Sequence, residues 1–288
     1  MEKIIEQMLK QHKTDTILDK KNSIKEVLQE ITLCGLSRAG FFNVAAFYGG
    51  TALRIFHGLE RFSEDLDFSL KKADAEFDFH KYLPILEREI RSYGLNFKAE
   101  IKEKTIDSNI LSAFLKGSTK EHMLSFYAED NSSSSIGPNE RIKLKFEVDI
   151  NPPDYAVFET KYSLLPIPYE ICLYDMPSLF AGKIHAVICR GWKNRVKGRD
   201  LYDYIFYLSR GTAVNLKHLS SRLKQSGFVF ANDKIQLEEL KSILCKRFEE
   251  IDYAGARQDV IPFIKNSGEL DVWKPGFFCE VTQELREI

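Results

Sequence analysis

Apolar side chains recur at helical spacing through the first forty residues of the chain. Ile24, Val27, Leu28 and Ile31 lie three or four positions apart or side by side, with charged residues between them. This pattern is typical of an amphipathic helix that turns one face toward a core. Residues 1–40 are therefore predicted to form an N-terminal helical segment.

The pattern changes at residues 44–48, where Val-Ala-Ala-Phe-Tyr predicts a short apolar strand. Gly49 and Gly50 end that strand, and Thr51 is predicted to cap the helix that follows. Residues 65–70, Asp-Leu-Asp-Phe-Ser-Leu, return to the alternation of a strand. The segment therefore predicts a strand, a glycine turn, a short helix and a second strand.

Alternating apolar and polar positions dominate residues 95–150 and predict strands that extend the first ones in antiparallel order. These strands are predicted in LNFKAEIKEK, ILSAFLK, MLSFYA and RIKLKFEVDI. The two prolines in residues 151–155 cannot join a hydrogen-bonded ladder, so they are expected to end the strand region. After Asp175 the pattern is mostly helical, with breaks predicted at Gly198, Gly211, Gly227 and Pro262.

Together these patterns predict an α+β protein with a mixed sheet, flanking helices and a mostly helical C-terminal half. The predicted divisions are an N-terminal helical segment at 1–40, a core domain at 41–170 and a helical domain at 171–288.

Composition places the chain among ordinary globular proteins. Its 288 residues are 44% hydrophobic, and 41 basic residues nearly balance 42 acidic ones. The five cysteines show no Cys-x-x-Cys spacing, which favours reduced thiols over a disulfide framework or a zinc site. No apolar run is long enough for a signal peptide or a membrane span. A cytoplasmic protein with no membrane contact is therefore expected.

Two acids in the second strand predict a metal site. Residues two apart in a strand point to the same face, about 6.6 Å apart along the chain, so Asp65 and Asp67 project together. Carboxylate oxygens suit Mg²⁺, and a solvated strand edge is the competing structural interpretation. In RIKLKFEVDI a third acid could stand beside them. Asp149 is preferred because it ends the strand, and Glu147 shares its face and stays open.

The glycine turn predicts a phosphate site. Unpaired N–H groups at a helix N-terminus attract phosphate, and Gly49 and Gly50 let an anion approach the backbone closely. Thr51 or Ser63 could add a hydroxyl. A plain capped turn is the structural alternative.

A basic segment lies in the helical half, where residues 183–199 contain six basic residues and no acid. Lys183, Val187 and Arg190 are predicted to share one side of a helix that could hold a triphosphate or an RNA backbone. The residues predicted to contact RNA are Arg190, Lys193, Arg195, Lys197 and Arg199. In the next helix, Asp200, Asp203, Tyr204 and Tyr207 are predicted to share a face. The apolar side chains expected to turn toward the core there are Leu201, Ile205 and Leu208.

Three segments carry a resemblance to a known family: YGGTALRIFHGLERFSEDLDFSL, KLKFEVDINPP and AGKIHAVICRGWKNRVKGRDLYDYIF. They resemble the AbiEii/AbiGii toxin family of the nucleotidyltransferase superfamily, from about Phe41 to Leu208. The spacing from Gly-Gly-Thr to Arg-x-Ser-x-Asp-x-Asp is more specific than either motif alone.

The resemblance implies a nucleotidyltransferase fold. It implies that Gly49, Gly50 and Ser63 cradle phosphate and that Asp65 and Asp67 bind Mg²⁺. Lys183 matches the family's nucleotide-contacting lysine, and Asp200 matches its downstream essential acid. The wider superfamily carries Gly-Ser where this chain has Gly-Gly-Thr, so the choice of hydroxyl between Thr51 and Ser63 stays open.

The resulting hypothesis is a Mg²⁺-dependent nucleotidyltransferase that moves NMP from an NTP to RNA. The family resemblance makes tRNA the expected acceptor and implies a toxin with a cognate antitoxin repressor. The first alternative is a catalytically silent nucleotide-binding regulator, which the same residues would support. The second is a nucleotide-sugar glycosyltransferase that uses Asp-x-Asp, although the basic segment and the glycine turn are not expected there. No serine-hydrolase, P-loop or zinc-protease motif is present.

Overall fold

The computed structural model describes residues 2–102, 109–127, 136–191, 197–229 and 235–288. In the N-terminal half the helices are α1 Glu2–Leu9, α2 Ile17–Arg38, α3 Gly49–His57, α4 Leu83–Ser92 and α5 Thr119–Phe126. In the C-terminal half they are α6 Met176–Cys189, α7 Gly198–Ser209, α8 Leu216–Gln225, α9 Leu237–Glu249, α10 Tyr253–Val260 and α11 Pro275–Thr282. The predicted helical C-terminal half is confirmed.

The described strands form one mixed sheet. They are β1 Ala45–Tyr48, β2 Leu66–Leu70, β3 Lys98–Lys102, β4 Ile110–Ser118, β5 Arg141–Asp149, β6 Phe158–Ser163 and β7 Tyr169–Tyr174. Their order across the sheet is β3-β4-β5-β2-β1-β7-β6. The α+β prediction, a mixed sheet with flanking helices, is confirmed.

Strand pairing corrects part of the predicted topology. The antiparallel extension is confirmed for β3, β4 and β5, but β5 pairs with β2 in parallel. Parallel neighbours need a long crossover, and the chain between β2 and β5 supplies it. The strand region also continues past residues 151–155, because β6 and β7 follow them and β7 pairs with β1. The prediction that the prolines end the strand region is therefore wrong.

The strand predicted in MLSFYA is also wrong, because Met123–Phe126 belong to α5. The start of that helix explains the error. Ser118 caps it and accepts a hydrogen bond from the Glu121 amide at 3.3 Å. A serine cap with glutamate three residues later is a helix-start signal that outweighs the alternation of the following residues.

The chain divides into two compact units, each drawn from several segments. The sheet unit comprises Met1–Thr51, Glu64–Pro152 and Thr160–Leu173. The helical unit comprises Ala52–Ser63, Pro153–Glu159 and Tyr174–Ile288. Whether the three predicted ranges fold as independent domains stays a prediction.

Aromatic side chains fill the core of the sheet unit. Phe41 packs edge-on against Phe68 of β2 and against Tyr82, with ring centroids 5.0 and 5.1 Å apart. These side chains are buried. This aromatic cluster packs against β2 and so supports the strand that carries Asp67.

The helical unit has its own aromatic core. Phe180 of α6 stacks on Tyr207 of α7 with centroids 4.6 Å apart, and Phe248 of α9 packs against Phe278 of α11 at 5.0 Å. Tyr204 joins the two pairs because its ring contacts both Phe180 and Phe248. These contacts pack α6 firmly against α7. They thereby fix the positions of the charged side chains on the two helices.

Candidate nucleotidyltransferase site

The glycine turn and the acid-bearing strand meet in the sheet unit. β1 runs antiparallel to β2, and Tyr48 is the register partner of Asp67. Gly49 follows with φ of +84°, a conformation that side-chain-bearing residues rarely adopt. A Cβ atom at Gly49 would collide with the Asp67 carboxylate. Glycine is therefore needed here both for its backbone angle and for the space that the carboxylate occupies.

Thr51 lies inside α3 rather than at its cap, because the helix begins at Gly49. The prediction that Thr51 is the N-cap is therefore wrong. Its side chain is fully buried, and its hydroxyl donates a hydrogen bond to the Asp65 carbonyl oxygen. That bond joins the start of α3 to the residue directly before β2. Ser63, two residues before Asp65, is also buried.

The predicted metal-binding acids lie on or beside two adjacent strands. Asp65 directly precedes β2 and Asp67 lies in it, and both are half-buried. Across the parallel pairing with β5, Asp67 is in register with Glu147, and Ser69 is in register with Asp149. Register partners share a face, so both third-acid candidates lie on the Asp67 face, and Glu147 is the one directly beside it.

Each third-acid candidate also has a local partner. Lys145 pairs with Glu147 at 2.7 Å, and the Ser112 hydroxyl donates to the same carboxylate at 3.4 Å. The Asn151 amide donates to Asp149 at 3.0 Å. The carboxylate of Asp149 thus accepts from the backbone just after β5, whereas that of Glu147 contacts side chains of β4 and β5.

The oxygen ligands suit a divalent cation that also contacts substrate. Within the described ranges, no three histidine, cysteine or acidic side chains converge closely enough to hold a metal ion by themselves. Mg²⁺ is usually bound by one or two carboxylates together with waters and substrate phosphates, so Asp65 and Asp67 fit that pattern without a closed cage. The identity of the metal and of its ligands stays a prediction.

A buried ion network lies in the helical unit. The Lys183 ammonium lies 2.7 Å from Asp200 and 2.8 Å from Asp203, and its side chain is 14% exposed. Arg190 pairs with Asp200 at 2.9 Å. The Arg61 guanidinium donates two parallel hydrogen bonds to the Asp203 carboxylate, at 2.5 and 2.6 Å. The network thus joins three cations to two carboxylates and carries one net positive charge.

The charges in this network stabilise one another against the cost of burial. Burial disfavours the ionised form of Asp200, but nearby Lys183, Arg190 and Lys197 outweigh it and lower the pKa of the carboxyl to about 2. Burial likewise disfavours charge on Lys183, but Asp200 and Asp203 prevail and raise its pKa. The pKa of Asp203 falls because Arg61 and Lys183 overcome its burial. Asp200, Lys183 and Asp203 are therefore charged at neutral pH.

The buried face of α7 differs from the prediction. The four residues predicted to share a face of α7 are all buried: Asp200, Asp203, Tyr204 and Tyr207. Leu201 is buried as predicted, whereas Ile205 and Leu208 are partly exposed, so the apolar core face predicted for these two residues is wrong. The reason is that cations from elsewhere in the unit neutralise both aspartates, which makes their burial tolerable.

The predicted RNA-contacting residues are only partly described, since Lys193 and Arg195 lie outside the described residues. Arg190 is paired with Asp200, as above. Arg199 lies 3.6 Å from Asp259, and its guanidinium sits over the Phe263 ring at 4.0 Å. Burial lowers the pKa of Lys197. Part of the positive charge of this segment is thus neutralised inside the helical unit.

Comparison with protein families decides the identity of the chain. The sequence profile described as Nucleotidyl transferase AbiEii toxin, Type IV TA system, matches residues 31–274. The chain belongs to the AbiEii family. It is therefore a nucleotidyltransferase of a toxin–antitoxin family, as the motifs predict.

Solved structures give weaker comparisons. A Helicobacter pylori protein described as a candidate nucleotidyltransferase is 20% identical with a TM-score of 0.45, and the alignment covers 90% of this chain and 93% of that one. JHP933 from Helicobacter pylori is 18% identical with a TM-score of 0.44, covering 91% and 88% of the two chains. At these scores neither likeness supports a statement about activity. No curated protein matches the chain in sequence.

The AbiEii match spans every predicted site residue and also Arg61, a residue to which the sequence assigned no role. A signal was present, since Arg61 opens the Arg-x-Ser-x-Asp-x-Asp motif. Its partner Asp203 was expected only to share a helix face with Asp200, Tyr204 and Tyr207. Periodicity cannot show that a loop arginine and a helix aspartate 142 positions apart meet in a buried pair.

None of the helices in the described ranges is long and apolar enough to cross a membrane.

Proposed function

We propose that this AbiEii-family protein transfers NMP from an NTP to an RNA acceptor, with tRNA as the expected acceptor and Mg²⁺ as the metal. The observation that carries the proposal is the fit between Gly49 and Asp67. A glycine turn at the head of α3 offers backbone N–H groups to phosphate, and the adjacent carboxylate offers oxygen to a metal. Metal-bound triphosphate needs both features in one place.

In this proposal Gly49 and Gly50 bind phosphate oxygens through the backbone. Thr51 donates its hydroxyl proton to the Asp65 carbonyl, so it can act toward a ligand only as an acceptor. Ser63 stays the other candidate for a hydroxyl contact.

Asp65 and Asp67 would hold Mg²⁺, and Glu147 is our preferred third acid over Asp149 because it is the register partner of Asp67. When bound, the metal would neutralise charge on the phosphates and ease ionisation of the attacking hydroxyl. The carboxylates of the chain would orient the triphosphate for in-line attack.

Lys183 suits a phosphate contact because an ammonium group has three N–H donors. Asp200 and Asp203 occupy two of them. The remaining donor is free to bind a phosphate oxygen, and the two aspartates keep the group charged and fixed in direction. Asp200 thus serves the reaction by holding Lys183, and Arg190 adds charge next to it.

The RNA acceptor would be bound by the basic segment, through Arg190, Lys193, Arg195, Lys197 and Arg199. Binding that neutralises phosphates weakens with salt, by about 0.7 in log affinity per contacted phosphate for each tenfold increase in salt on single strands. The family also suggests a cognate antitoxin repressor as a partner in the cell.

The test is transfer of label from each of four α-labelled NTPs to a tRNA pool, with Mg²⁺ or with EDTA. We expect labelled RNA with at least one NTP, loss of label with EDTA, and loss with Asp67→Asn. Glu147→Gln and Asp149→Asn, assayed side by side, identify the third acid as the variant with the larger loss. Asp271→Asn, a change at an exposed acid of the helical unit, is the control and should transfer normally.

Three results would redirect the proposal. Mg²⁺-dependent NTP binding without transfer to any RNA would favour the silent nucleotide-binding regulator. Stabilisation by UDP-sugar but not by NTP in a melting assay with Mg²⁺ would favour the glycosyltransferase. Growth arrest on expression that persists in Asp65→Asn would separate toxicity from nucleotide transfer.

A further inference from the structure

The short segment between α3 and β2 is held at nearly every residue. In the helical unit the Arg61 guanidinium donates to the Phe62 carbonyl at 3.0 Å, and the Phe62 amide donates to the Phe263 carbonyl at 2.8 Å. In the sheet unit the Gln29 amide donates to the Glu64 carbonyl at 3.0 Å. This segment leads directly into Asp65, the first of the two proposed metal ligands.

Arg61 and Asp203 form the most buried part of that anchorage. Their side chains are 4% and 0% exposed, and both guanidinium hydrogen bonds are aligned with the two carboxylate oxygens. Burial lowers the pKa of Arg61, but the Asp203 carboxylate outweighs it and raises the pKa. The paired fork geometry fixes direction as well as distance, because each N–H has its own acceptor.

The Asp203 carboxylate binds two cationic side chains at once. One of its oxygens binds both the Arg61 guanidinium at 2.6 Å and the Lys183 ammonium at 2.8 Å. The side chain thus connects the loop that precedes the catalytic acids with the lysine proposed to contact phosphate. A displacement of Asp203 would change the position of both groups together.

We propose that Arg61 and Asp203 are positioning residues of the nucleotidyl transfer, fixing Lys183 and the segment that presents Asp65 and Asp67. This inference rests on the proposed function for its effect on turnover. Neither side chain needs to touch substrate. Reacting groups must be held within about 0.5 Å of the productive geometry, and such precision requires supporting side chains that are themselves locked.

The competing explanation is that the pair only stabilises the fold. Buried ion pairs are poor stabilisers, since their desolvation cost often matches or exceeds their attraction, and apolar replacements are frequently neutral. Arg61 lies in a loop four residues before Asp65, and Asp203 lies on the helix that carries Asp200. A role in positioning these groups therefore explains the pair better than a role in stability does. The two explanations differ in what a charge-conserving substitution should do.

The main variant is Arg61→Lys, which keeps the charge but loses the fork and the bond to the Phe62 carbonyl. Its matched control is Arg257→Lys, because Arg257 is a half-buried arginine of the helical unit that also donates to a backbone carbonyl, that of Trp273 at 2.7 Å. Asp203→Asn, which keeps shape and removes charge, is the second variant. Each is tested for melting temperature, NTP affinity, kcat and amide hydrogen exchange.

We expect Arg61→Lys to speed amide exchange in residues 62–67 at least tenfold and to lower kcat at least tenfold, with NTP affinity within threefold of wild type. Asp203→Asn should lower kcat and also weaken NTP affinity, because Lys183 loses one of its two negatively charged partners. The double variant should lose no more kcat than the more impaired single variant, since the two residues act through one contact. The Arg257 control should change none of these quantities beyond twofold.

Exchange in residues 62–67 equal to that of the Arg257 control would overturn the inference, as would kcat losses that merely follow the melting temperature. The exchange measurement needs no substrate. If the wild-type protein transfers no nucleotide but Arg61→Lys still frees this segment, the proposed function fails while the anchoring role stands.

Discussion

Gly49→Ala is the substitution that most directly probes the arrangement around Asp67. The added methyl group would enter space that the Asp67 carboxylate occupies, at a backbone φ of +84°. Two costs therefore arise together, one from the backbone angle and one from the collision. Gly94 separates them, because it has φ of +80° and no atom lies within 4 Å of the position that an added methyl group would take.

The backbone cost should be the same at both glycines. A left-handed conformation costs a residue with a side chain about 1–2 kcal/mol. For a protein of this size each kcal/mol lowers the melting temperature by about 2–4 °C, so Gly94→Ala should melt roughly 2–8 °C lower than wild type. Gly49→Ala pays that cost and must also push Asp67 aside. Since a 1 Å misplacement of a reacting group can cost about a hundredfold in rate, we expect about that loss of transfer.

The assay pairs thermal melting with NTP-dependent labelling of RNA for both variants at a temperature well below either transition. Gly94→Ala should retain activity within threefold while losing stability. Gly49→Ala should lose activity far beyond its change in melting temperature. Equal activity in the two variants would refute the reasoning, because it would mean that the contact between Gly49 and Asp67 has no part in the reaction.

Three further predictions concern stability. Burial, opposed by His12 and reinforced by Glu26, raises the pKa of Glu30 from 4.5 to about 7, so stability should fall as pH rises from about 4.5 to 7. Glu30→Gln should therefore recover up to about 3 kcal/mol at pH 8 and little at pH 5, measured by denaturant unfolding. The pKa of Asp200 is lowered to about 2, so its ionised form should contribute about 2 kcal/mol to the free energy of unfolding. That contribution should persist down to about pH 4 and disappear toward pH 2. Acid unfolding in which Asp200→Asn matches wild type would contradict this. Gly198→Ala would drive a methyl group into the Ala256 backbone carbonyl and should lower the melting temperature, whereas Gly211→Ala, with nothing within 4 Å, should show only the cost of its backbone angle.

Local patterns predicted the elements that depend on near neighbours. Alternation predicted β2 and β5, and apolar spacing predicted α2 and the helical C-terminal half. The Gly-Gly turn and the Asp-x-Asp strand were also predicted, because both depend on residues close in sequence. These features needed no knowledge of distant contacts.

The errors arose where distant residues decide the outcome. The parallel pairing of β2 with β5 depends on how the long crossover runs, and it is this pairing that sets Glu147 beside Asp67. The burial of Asp200 and Asp203 depends on cations supplied by other segments. No hydrophobic period records such pairings, so α7 was predicted with the wrong inner face.

The path of the chain between the two units limits how this protein can be divided. Ala52–Ser63 belongs to the helical unit, although residues of the sheet unit precede and follow it. A fragment ending at Leu173 would contain every residue of the seven described strands except Tyr174, but it would carry Arg61 and Phe62 without Asp203 and Phe263, their partners. Such a fragment should be prone to aggregation, and gene-splitting at this point should yield soluble protein only when both pieces are produced together. The sheet unit and the helical unit would then be inherited as one module that recombination cannot shuffle separately.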